Sequence, residues 1–330
     1  MLCSLVIRKN SWAALIIFEH IYKNFSSKKR ALSDLCFEVR EGETLVLLGR
    51  SGSGKTTSLK MINRLIEPSS GKILIHGKDI QTFDPIYLRR NIGYAIQHVG
   101  LFKHMTVEEN IGLVPKLLGW VDVRIRKRVE ELLYLIGLNP EDVRNSYPHQ
   151  LSGGQKQRIG VARAIAADPP IILMDEPFGA LDPMTREQLQ NEFLELERDI
   201  RKTVVFVTHD VFEAIKMADR IAVMEKGQIL QIGTPRELLK NPVNEIVDQF
   251  FSQHRYQLSL MTQTVSELIQ DKIALLSIPR LSLHPKATFL DALNLFNKSK
   301  TDSISIFDGK NYLGEIRQAH LLKESVKFLK

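Results

Sequence analysis

The sequence predicts an α/β fold built on a mostly parallel sheet. Short apolar runs at Thr44–Leu48, Ile171–Asp175 and Thr203–Val207 have the length and composition of strands buried on both faces. Stretches with helical patterns lie between these runs, as in parallel α/β sheets. Because such sheets bind ligands at the carboxyl ends of their strands, the polar residues that follow each run are the first candidates for a functional site.

Two further strands are expected before the first buried run. Phe18–Phe25 and Leu32–Val39 read as an antiparallel pair joined by a basic loop. Cys36 alternates with apolar residues in the second of these strands, and neither it nor Cys3 has the spacing of a metal site. We expect Cys36 to be a packed, reduced thiol.

A glycine-rich loop follows the strand Thr44–Leu48. It reads Gly49-Arg50-Ser51-Gly52-Ser53-Gly54-Lys55-Thr56, with Thr57 next, and matches G-x-x-x-x-G-K-[ST] between a strand and a helix. Glycines allow the backbone to wrap phosphates and to adopt positive φ. Lys55 then supplies a charge to the β and γ phosphates, and Thr56 a hydroxyl to Mg²⁺. The loop predicts a nucleoside triphosphate site.

The middle of the chain contains two more strands and a helical region. Ile73–Ile75 and Ile92–Ile96 are predicted strands, and Gln97 follows the second. Residues 106–144 are helical in character, beginning with the capping-box pair Thr106 and Glu109. The basic cluster at 123–131 is either a contact surface or a solvated helix face.

Three polar segments follow. Leu151-Ser152-Gly153-Gly154-Gln155 opens a helix, and a glycine-rich helix start presents free N–H groups to an anion. The strand Ile171–Asp175 ends in the adjacent carboxylates Asp175 and Glu176, and a tight connection containing Asp182 leads into the next helix, expected near Thr185. His209 lies just beyond the strand Thr203–Val207.

Taken together and in this order, these segments resemble the ATP-binding subunit of an ABC transporter. The resemblance matches Leu151–Gln155 with the signature, Asp175 with the Walker B aspartate, Glu176 with the catalytic glutamate, Asp182 with the D-loop, Gln97 with the Q-loop and His209 with the H-loop. It also matches Phe25, or else Tyr22, with an aromatic that stacks on adenine. It implies a P-loop NTPase core with an antiparallel β subdomain and a helical subdomain, at 17–252 after an extension at 1–16.

The resemblance implies ATP and Mg²⁺ as ligands and two copies of the chain in each working unit. Thr56, Gln97 and Asp175 are then the metal-binding residues, and Glu176, His209 and Gln97 the catalytic ones. Ser152, Gly153, Gly154, Gln155 and Asp182 complete the nucleotide site, the glycine-opened helix of one copy covering the γ phosphate held by the other.

Further segments resemble the branch of bacterial importers that takes up quaternary amines. They are Leu59–Pro68, Leu88–Gln97 and Asp175–Glu187, and the implied solutes are glycine betaine, carnitine, choline or proline betaine. The implied partners are a membrane permease and an extracytoplasmic binding protein, with this chain on the cytoplasmic face of the membrane. Lys103 departs from the related pattern, which usually has Pro there. No run reaches the ~18 to 20 apolar residues of a membrane-spanning helix, so the chain itself is not expected to form a channel.

Other functions stay open. An importer for another small solute would carry the same motifs, and the net charge of +7 suits nucleic acid as well as anionic lipid. A DNA-repair ATPase would need long coiled-coil arms between the glycine-rich loop and the signature, and the interval is too short for them. A nucleotide sensor without turnover would lack Glu176 or His209.

Residues 253–330 differ in sequence pattern from the rest of the chain and are predicted to form a small α/β domain. A helix at Ala292–Phe296, a strand at Ser303–Phe307, a turn at Asp308-Gly309 and a last helix after Leu313–Ile316 resemble one CBS unit, a βαββα module. Such modules usually work in pairs, and one can be recognised in this sequence. Sensing of ionic strength or nucleotide, lipid contact and dimerisation all remain open for it.

Overall fold

The computed structural model describes residues 14–26, 29–96, 100–179, 181–200, 202–269, 281–309 and 311–329. They fall into two units that are described separately. The first contains the described residues up to 210 together with 217–232, and the second contains 211–216 and the described residues from 233 onward. Within this part of the chain, no helix is both long and apolar enough to span a bilayer.

A mostly parallel six-stranded sheet forms the centre of the first unit. Its strand order is β10-β9-β3-β8-β7-β6, and its strands are β3 (Thr44–Gly49), β6 (Ile92–Ala95), β7 (Ile171–Asp175), β8 (Thr203–Thr208), β9 (Arg220–Glu225) and β10 (Gln228–Gly233). The three predicted apolar runs are strands buried along their whole length. They pair in parallel, with β8 between β3 and β7. The carboxyl ends of these three strands therefore share one edge of the sheet.

A four-stranded antiparallel sheet completes the β structure of the first unit. Its order is β2-β1-β4-β5, with β1 (Ala14–Ser26), β2 (Lys29–Arg40), β4 (Ser70–Ile75) and β5 (Lys78–Asp79). The predicted antiparallel pairing is confirmed by the register Phe18 opposite Phe37. Those two rings stack with centroids 4.2 Å apart, in a core that also contains buried residues of β3, β7 and β8. Burying each such aromatic side chain contributes about 1.5–3 kcal/mol.

The first unit also contains helices, some of which form the helical region predicted at residues 106–144. The first unit has helices at Lys55–Ile62, Pro85–Arg90, Val107–Leu117, Asp122–Leu135, Pro140–Val143, Gly153–Ile165 and Pro183–Ile200. The predicted capping box is present, since Thr106 accepts from the Glu109 N–H and Glu109 accepts from the Thr106 N–H. The helix after Asp182 begins at Pro183, close to the expected start. We call Lys55–Ile62 the phosphate helix and Gly153–Ile165 the signature helix.

The second unit contains helices, a three-stranded sheet and a hydrophobic core of its own. Its helices are residues 211–216 of Val211–Met217, then Pro235–Lys240, Glu245–Phe251, Arg255–Thr262, Phe289–Ser299 and Gln318–Ser325, and its strands are β11 (Ser282–Leu283), β12 (Ser303–Asp308) and β13 (Asn311–Arg317). The order β11, helix, β12, β13, helix agrees with the βαββα arrangement expected for the tail. Its assignment as a CBS unit stays a prediction.

The domain limits at 252 and 253 also stay a prediction. Residues 235–251, assigned from sequence to the main domain, lie in the second unit. There Arg255 donates to the carbonyl of Leu239 and pairs with Asp248, which ties the helices of 235–251 to the helix that follows them.

The expectation of a reduced Cys36 was wrong, because this residue is disulfide-bonded. Leu35 and Phe37 are fully buried, whereas Cys36 between them is only half-buried. The alternation of a strand places these neighbours on opposite faces. The apolar pattern of β2 predicts burial of its neighbours correctly but carries no information on the bonding of the sulfur.

Candidate functional site

The glycine-rich loop leaves the end of β3 along a path that requires its glycines. A Cβ at Gly49 would lie 2.3 Å from the carbonyl oxygen of Met224, on the neighbouring strand β9. Gly52 and Gly54 have φ of 80° and 104°, in the left-handed region that side chains disfavour. The loop therefore brings backbone, rather than side chains, to the start of the phosphate helix.

Lys55 lies against this loop. Its Nζ donates to the carbonyl of Gly49 at 2.6 Å and to that of Arg50 at 3.0 Å. Burial lowers the pKa of Lys55, while the carboxylates of Glu176 and Asp175 act in the opposite direction. The ammonium group thus sits among anionic and carbonyl oxygens at the edge where the phosphates are expected.

Thr56 and Asp175 are in direct contact. The Thr56 hydroxyl donates to Oδ1 of Asp175 at 2.8 Å, and Asp175 is 2% exposed. Burial raises the pKa of the Asp175 carboxyl, and the hydrogen bond from Thr56 partly offsets that effect. A hydroxyl and a carboxylate are oxygen donors of the kind that Mg²⁺ prefers, so two of the three predicted metal ligands lie together. The third, Gln97, falls outside the described residues.

Glu176 and His209 meet at the carboxyl ends of the adjacent strands β7 and β8. Nδ1 of His209 lies 3.1 Å from Oε1 of Glu176, with side chains 63% and 21% exposed respectively. Glu176 has φ of 48°, and its N–H donates to the carbonyl of Val207 at 3.0 Å. A carboxylate paired with an imidazole at an accessible sheet edge can accept a proton from water.

The signature helix begins with a capping box. Ser152 Oγ accepts from the Gln155 N–H at 3.2 Å, and Gln155 Oε1 accepts from the Ser152 N–H at 2.9 Å. A Cβ at Gly153 would meet nothing within 4 Å, and one at Gly154 would lie 3.3 Å from Leu181. The surface over the helix start is therefore open beside Gly153, where N–H groups without intrahelical partners can bind an anion.

The remaining predicted residues lie around these groups. Phe25 is 54% exposed at the end of β1, with the ammonium of Lys23 5.2 Å from its ring centre. Ser51 is exposed and Thr57 is half-buried. Oδ1 of Asp182 accepts from the Thr185 N–H at 3.0 Å, and the hydrogen bonds from Thr185 lower the pKa of Asp182. Asp182 therefore caps its own helix.

The loop residues fit a bound phosphate chain. Ser53 is buried, and its Oγ has no hydrogen-bond partner among the described residues. Buried polar atoms usually have partners, and a phosphate oxygen would supply one. The space around Gly49 and Gly54 admits backbone alone, as a close approach to phosphate requires.

Two polar residues of this region were missed from the sequence. Tyr94 lies on β6 near Asp175, and burial followed by the Asp175 charge raises the pKa of its phenol. Gln157 is buried on the signature helix and donates from Nε2 to the carbonyls of Glu176 and Pro177. Its position four residues before the buried Val161 was a usable signal, since it places a polar side chain on the apolar face of the helix.

Comparison with known proteins agrees with this geometry. The ABC transporter family model matches residues 32–179. The glycine betaine/carnitine/choline transport ATP-binding protein OpuCA of Bacillus subtilis is 47% identical, with 91% of this chain and 77% of the relative covered. The osmoprotectant import ATP-binding protein OsmV of Salmonella typhimurium is 46% identical, with 89% and 76% covered.

Solved structures are also similar. The dimeric ATP-binding cassette MJ0796 in a post-hydrolysis state with ADP and Pi has a TM-score of 0.62 and 33% identity, covering 67% of this chain and 98% of that one. Such similarity to an ATPase, together with the contacts around Lys55, Asp175 and Glu176, agrees with the sequence prediction of an ATP site. The chain belongs to the ABC transporter family, in which it is an ATP-binding subunit whose ATPase activity is coupled to transport.

Proposed function

We propose that this chain powers import of a quaternary-amine osmoprotectant, such as glycine betaine, carnitine, choline or proline betaine. The proposal rests on how much of the chain each relative matches. Four relatives, three named for glycine betaine, carnitine or choline and one for osmoprotectants, match 86% to 91% of the chain at 45–47% identity. A sulfate/thiosulfate import ATP-binding protein of Pseudomonas syringae matches at 45% identity over only 70%. Similarity to the quaternary-amine group thus extends further along the chain.

That sulfate relative supports a second candidate, an importer of another small solute. Its identity to this chain is as high as that of the osmoprotectant relatives where it matches. An ATPase acting on nucleic acid is a weaker alternative, since its support is the net positive charge alone.

In the proposed site, residues 49–57 bind the phosphate chain of ATP and Lys55 contacts its β and γ phosphates. Thr56, Asp175 and Gln97 hold Mg²⁺, which supplies positive charge that neutralises the phosphate oxygens. Phe25, at the exposed end of β1, stacks on the adenine ring. These roles use the open sheet edge and the donor types described above.

Glu176 is the proposed general base. Water attacks the γ phosphorus, the bond from that phosphorus to the bridging oxygen of ADP breaks, and the proton of the water passes to Oε of Glu176. His209, whose Nδ1 lies 3.1 Å from Oε1, holds the carboxylate in place and contacts the γ phosphate. Gln97 orients the attacking water.

The working unit is proposed to be a dimer with two equivalent sites. Ser152, Gly153 and Gly154 of one copy present the N-terminus of the signature helix to the γ phosphate bound by the other copy. Gln155 completes the capping box that Ser152 begins, and Asp182 is proposed to complete the same nucleotide site. The dimeric structure of a cassette with 33% identity supports this arrangement.

The helical region contains a small groove. It has a volume of about 280 Å³ and lies between the helices Val107–Leu117 and Asp122–Leu135. Its lining mixes apolar and charged groups, including Met105, Glu109 and Arg126. We propose that the permease docks here, that an extracytoplasmic binding protein delivers the solute, and that the chain lies on the cytoplasmic face of the membrane.

Uptake into proteoliposomes tests the proposal. The chain is reconstituted with its permease and binding protein, and uptake of labelled glycine betaine, choline, carnitine and sulfate is measured with ATP inside. We expect ATP-dependent uptake of at least one quaternary amine, no sulfate uptake, and no uptake with the variant Glu176→Gln. Sulfate uptake without any quaternary amine would support the second candidate, and stimulation of the ATPase by DNA alone would support the third.

A further inference from the structure

The signature helix carries one buried amide that no step above uses. Gln157 is 4% exposed, and it lies on the same helix face as Val161 and Ala164. Its Nε2 donates to the carbonyl of Glu176 at 3.3 Å and to that of Pro177. Carbonyls only accept hydrogen bonds, so the amide orientation with Nε2 toward them is the one that chemistry requires.

Burial of this amide is costly. Oε1 of Gln157 has no hydrogen-bond partner among the described residues. An apolar residue of similar size would avoid that cost. Unpaired buried polar atoms are few in native proteins, so this one calls for an explanation, and a functional role is one explanation.

The segment that Gln157 holds is backbone-strained. Glu176 has φ of 48°, a conformation that is unfavourable for a residue with a Cβ. The segment is fixed by the bond from the Glu176 N–H to Val207 and by the bond from the Gly179 N–H to the Glu176 carbonyl, at 3.0 and 3.2 Å. Gln157 adds side-chain donors from the signature helix to these backbone bonds. Removing those donors lets the segment relax and moves the Glu176 carboxylate.

The same helix starts at Ser152, five residues before Gln157. At 1.5 Å per residue the two are about 7.5 Å apart along the axis, and a hydrogen-bonded helix transmits a displacement over that distance. In the proposed dimer, Ser152 contacts the nucleotide held by the twin, whereas Glu176 acts on the nucleotide held by its own chain. Gln157 therefore lies between the two sites within one chain.

We infer that Gln157 is a positioning residue that couples capture of the twin's nucleotide at Ser152 to placement of Glu176 at the chain's own nucleotide. The inference rests on the proposed dimer and on the proposed role of Glu176. It makes hydrolysis at one site depend on occupancy of the other, through a side chain that touches neither nucleotide.

The test uses Gln157→Met, which has similar size and no donors, and Gln157→Glu as a second variant. Gln228→Glu is the matched control, because Gln228 is exposed on β10. The full chain is used to measure kcat and the Hill coefficient for ATP. The Kd of ATP is measured in the Glu176→Gln background. We expect both Gln157 variants to lose about 10- to 100-fold in kcat, the size of effect a misplaced base produces. We expect Kd within about threefold of that of Glu176→Gln alone and a Hill coefficient close to 1.

Each other result has a distinct meaning. A kcat within twofold of the unsubstituted chain, or an unchanged Hill coefficient, overturns the inference. Loss of ATP affinity in proportion to kcat also overturns it, since that is the behaviour of a residue that only supports the fold. Full turnover by Glu176→Gln alone would instead refute the proposed base. Failure of that variant to dimerise with ATP would refute the proposed dimer.

Discussion

Replacing Asp175 by Asn should stabilise the nucleotide-free protein while it abolishes ATP hydrolysis. Asp175 is almost fully buried, and burial raises the pKa of its carboxyl above the ordinary value. The raised pKa means that the folded chain disfavours the ionised form, in spite of the hydrogen bond from Thr56 and the charge of Lys60. Asn has the same shape, keeps an oxygen that accepts from Thr56, and removes the buried charge.

The sign of the pH dependence follows from linkage. A carboxyl with a raised pKa binds its proton more tightly in the folded than in the unfolded chain, so its contribution to stability falls as pH rises from the unfolded pKa through the folded one. The advantage of Asp175→Asn should therefore be absent in acid and largest above the raised pKa. Single stabilising substitutions commonly contribute about 0.5–2 kcal/mol, and we take that range for the removal of this charge. At about 2–4 °C per kcal/mol, Tm should rise by about 1–8 °C.

Calorimetry of both proteins between about pH 4 and pH 8, without nucleotide or Mg²⁺, measures this effect. A second scan with saturating Mg²⁺ and ATP should raise Tm of the unsubstituted chain and have less effect on the variant, because ligand at 100 times Kd contributes about 2.7 kcal/mol. A variant that melts below the unsubstituted chain at neutral pH would refute the reasoning, since Asp175 would then be a net stabilising charge.

Three further substitutions test the site. Gly49→Ala should destabilise the fold by about 1–3 kcal/mol and weaken ATP binding, because its Cβ would lie 2.3 Å from the Met224 carbonyl oxygen. Chemical denaturation and ATP titration measure the two effects. A variant as stable as the unsubstituted chain contradicts the prediction. Phe25→Ala should weaken ATP binding by about 1–3 kcal/mol, the value of a lost base–aromatic stack. Phe25→Tyr should bind ATP about as tightly as the unsubstituted chain. Equal ATP affinities in the unsubstituted chain and both variants would favour Tyr22 as the stacking residue. Glu176→Gln should lower kcat by about 10²–10⁴-fold with ATP binding intact and should give an ATP-bound dimer in gel filtration; near-normal turnover would exclude Glu176 as the base.

The sheet edge was predictable because its signals are local. Apolar runs identified the strands that end at Gly49, Asp175 and Thr208, and parallel pairing is sufficient to bring their polar ends together. The glycines of the phosphate loop were likewise predictable, since positive φ at Gly52 and Gly54 is a property of the backbone alone. Contacts such as Thr56 with Asp175 follow from these two facts.

Interactions between distant segments were less predictable. The bond from Gln157 to the carbonyls after β7 depends on how the signature helix packs on that segment, which no periodicity specifies. The bonded state of Cys36 was misjudged for the same kind of reason, because alternation in β2 reports burial and not covalent partners. The grouping of 235–251 with the second unit depends on Arg255 reaching Leu239 and Asp248 across helices.

The composite site is tested most directly by mixing two inactive variants. Lys55→Ala removes the cation from the phosphate loop, and Gly153→Asp places a carboxylate where the twin's γ phosphate is expected. The second change should fold normally, because a Cβ at Gly153 meets nothing within 4 Å and an acidic residue suits a helix start.

In a mixed dimer, one site combines both defects and the other has an intact Lys55 facing an intact signature helix. Random pairing makes half of the dimers mixed, and each mixed dimer has one intact site of two. With Glu176→Gln added to both chains to prevent turnover, the mixture should retain about a quarter of the ATP that Glu176→Gln alone retains in gel filtration. A mixture that retains no more ATP than its components, or a Gly153→Asp chain that retains ATP fully by itself, would contradict a site shared between two copies.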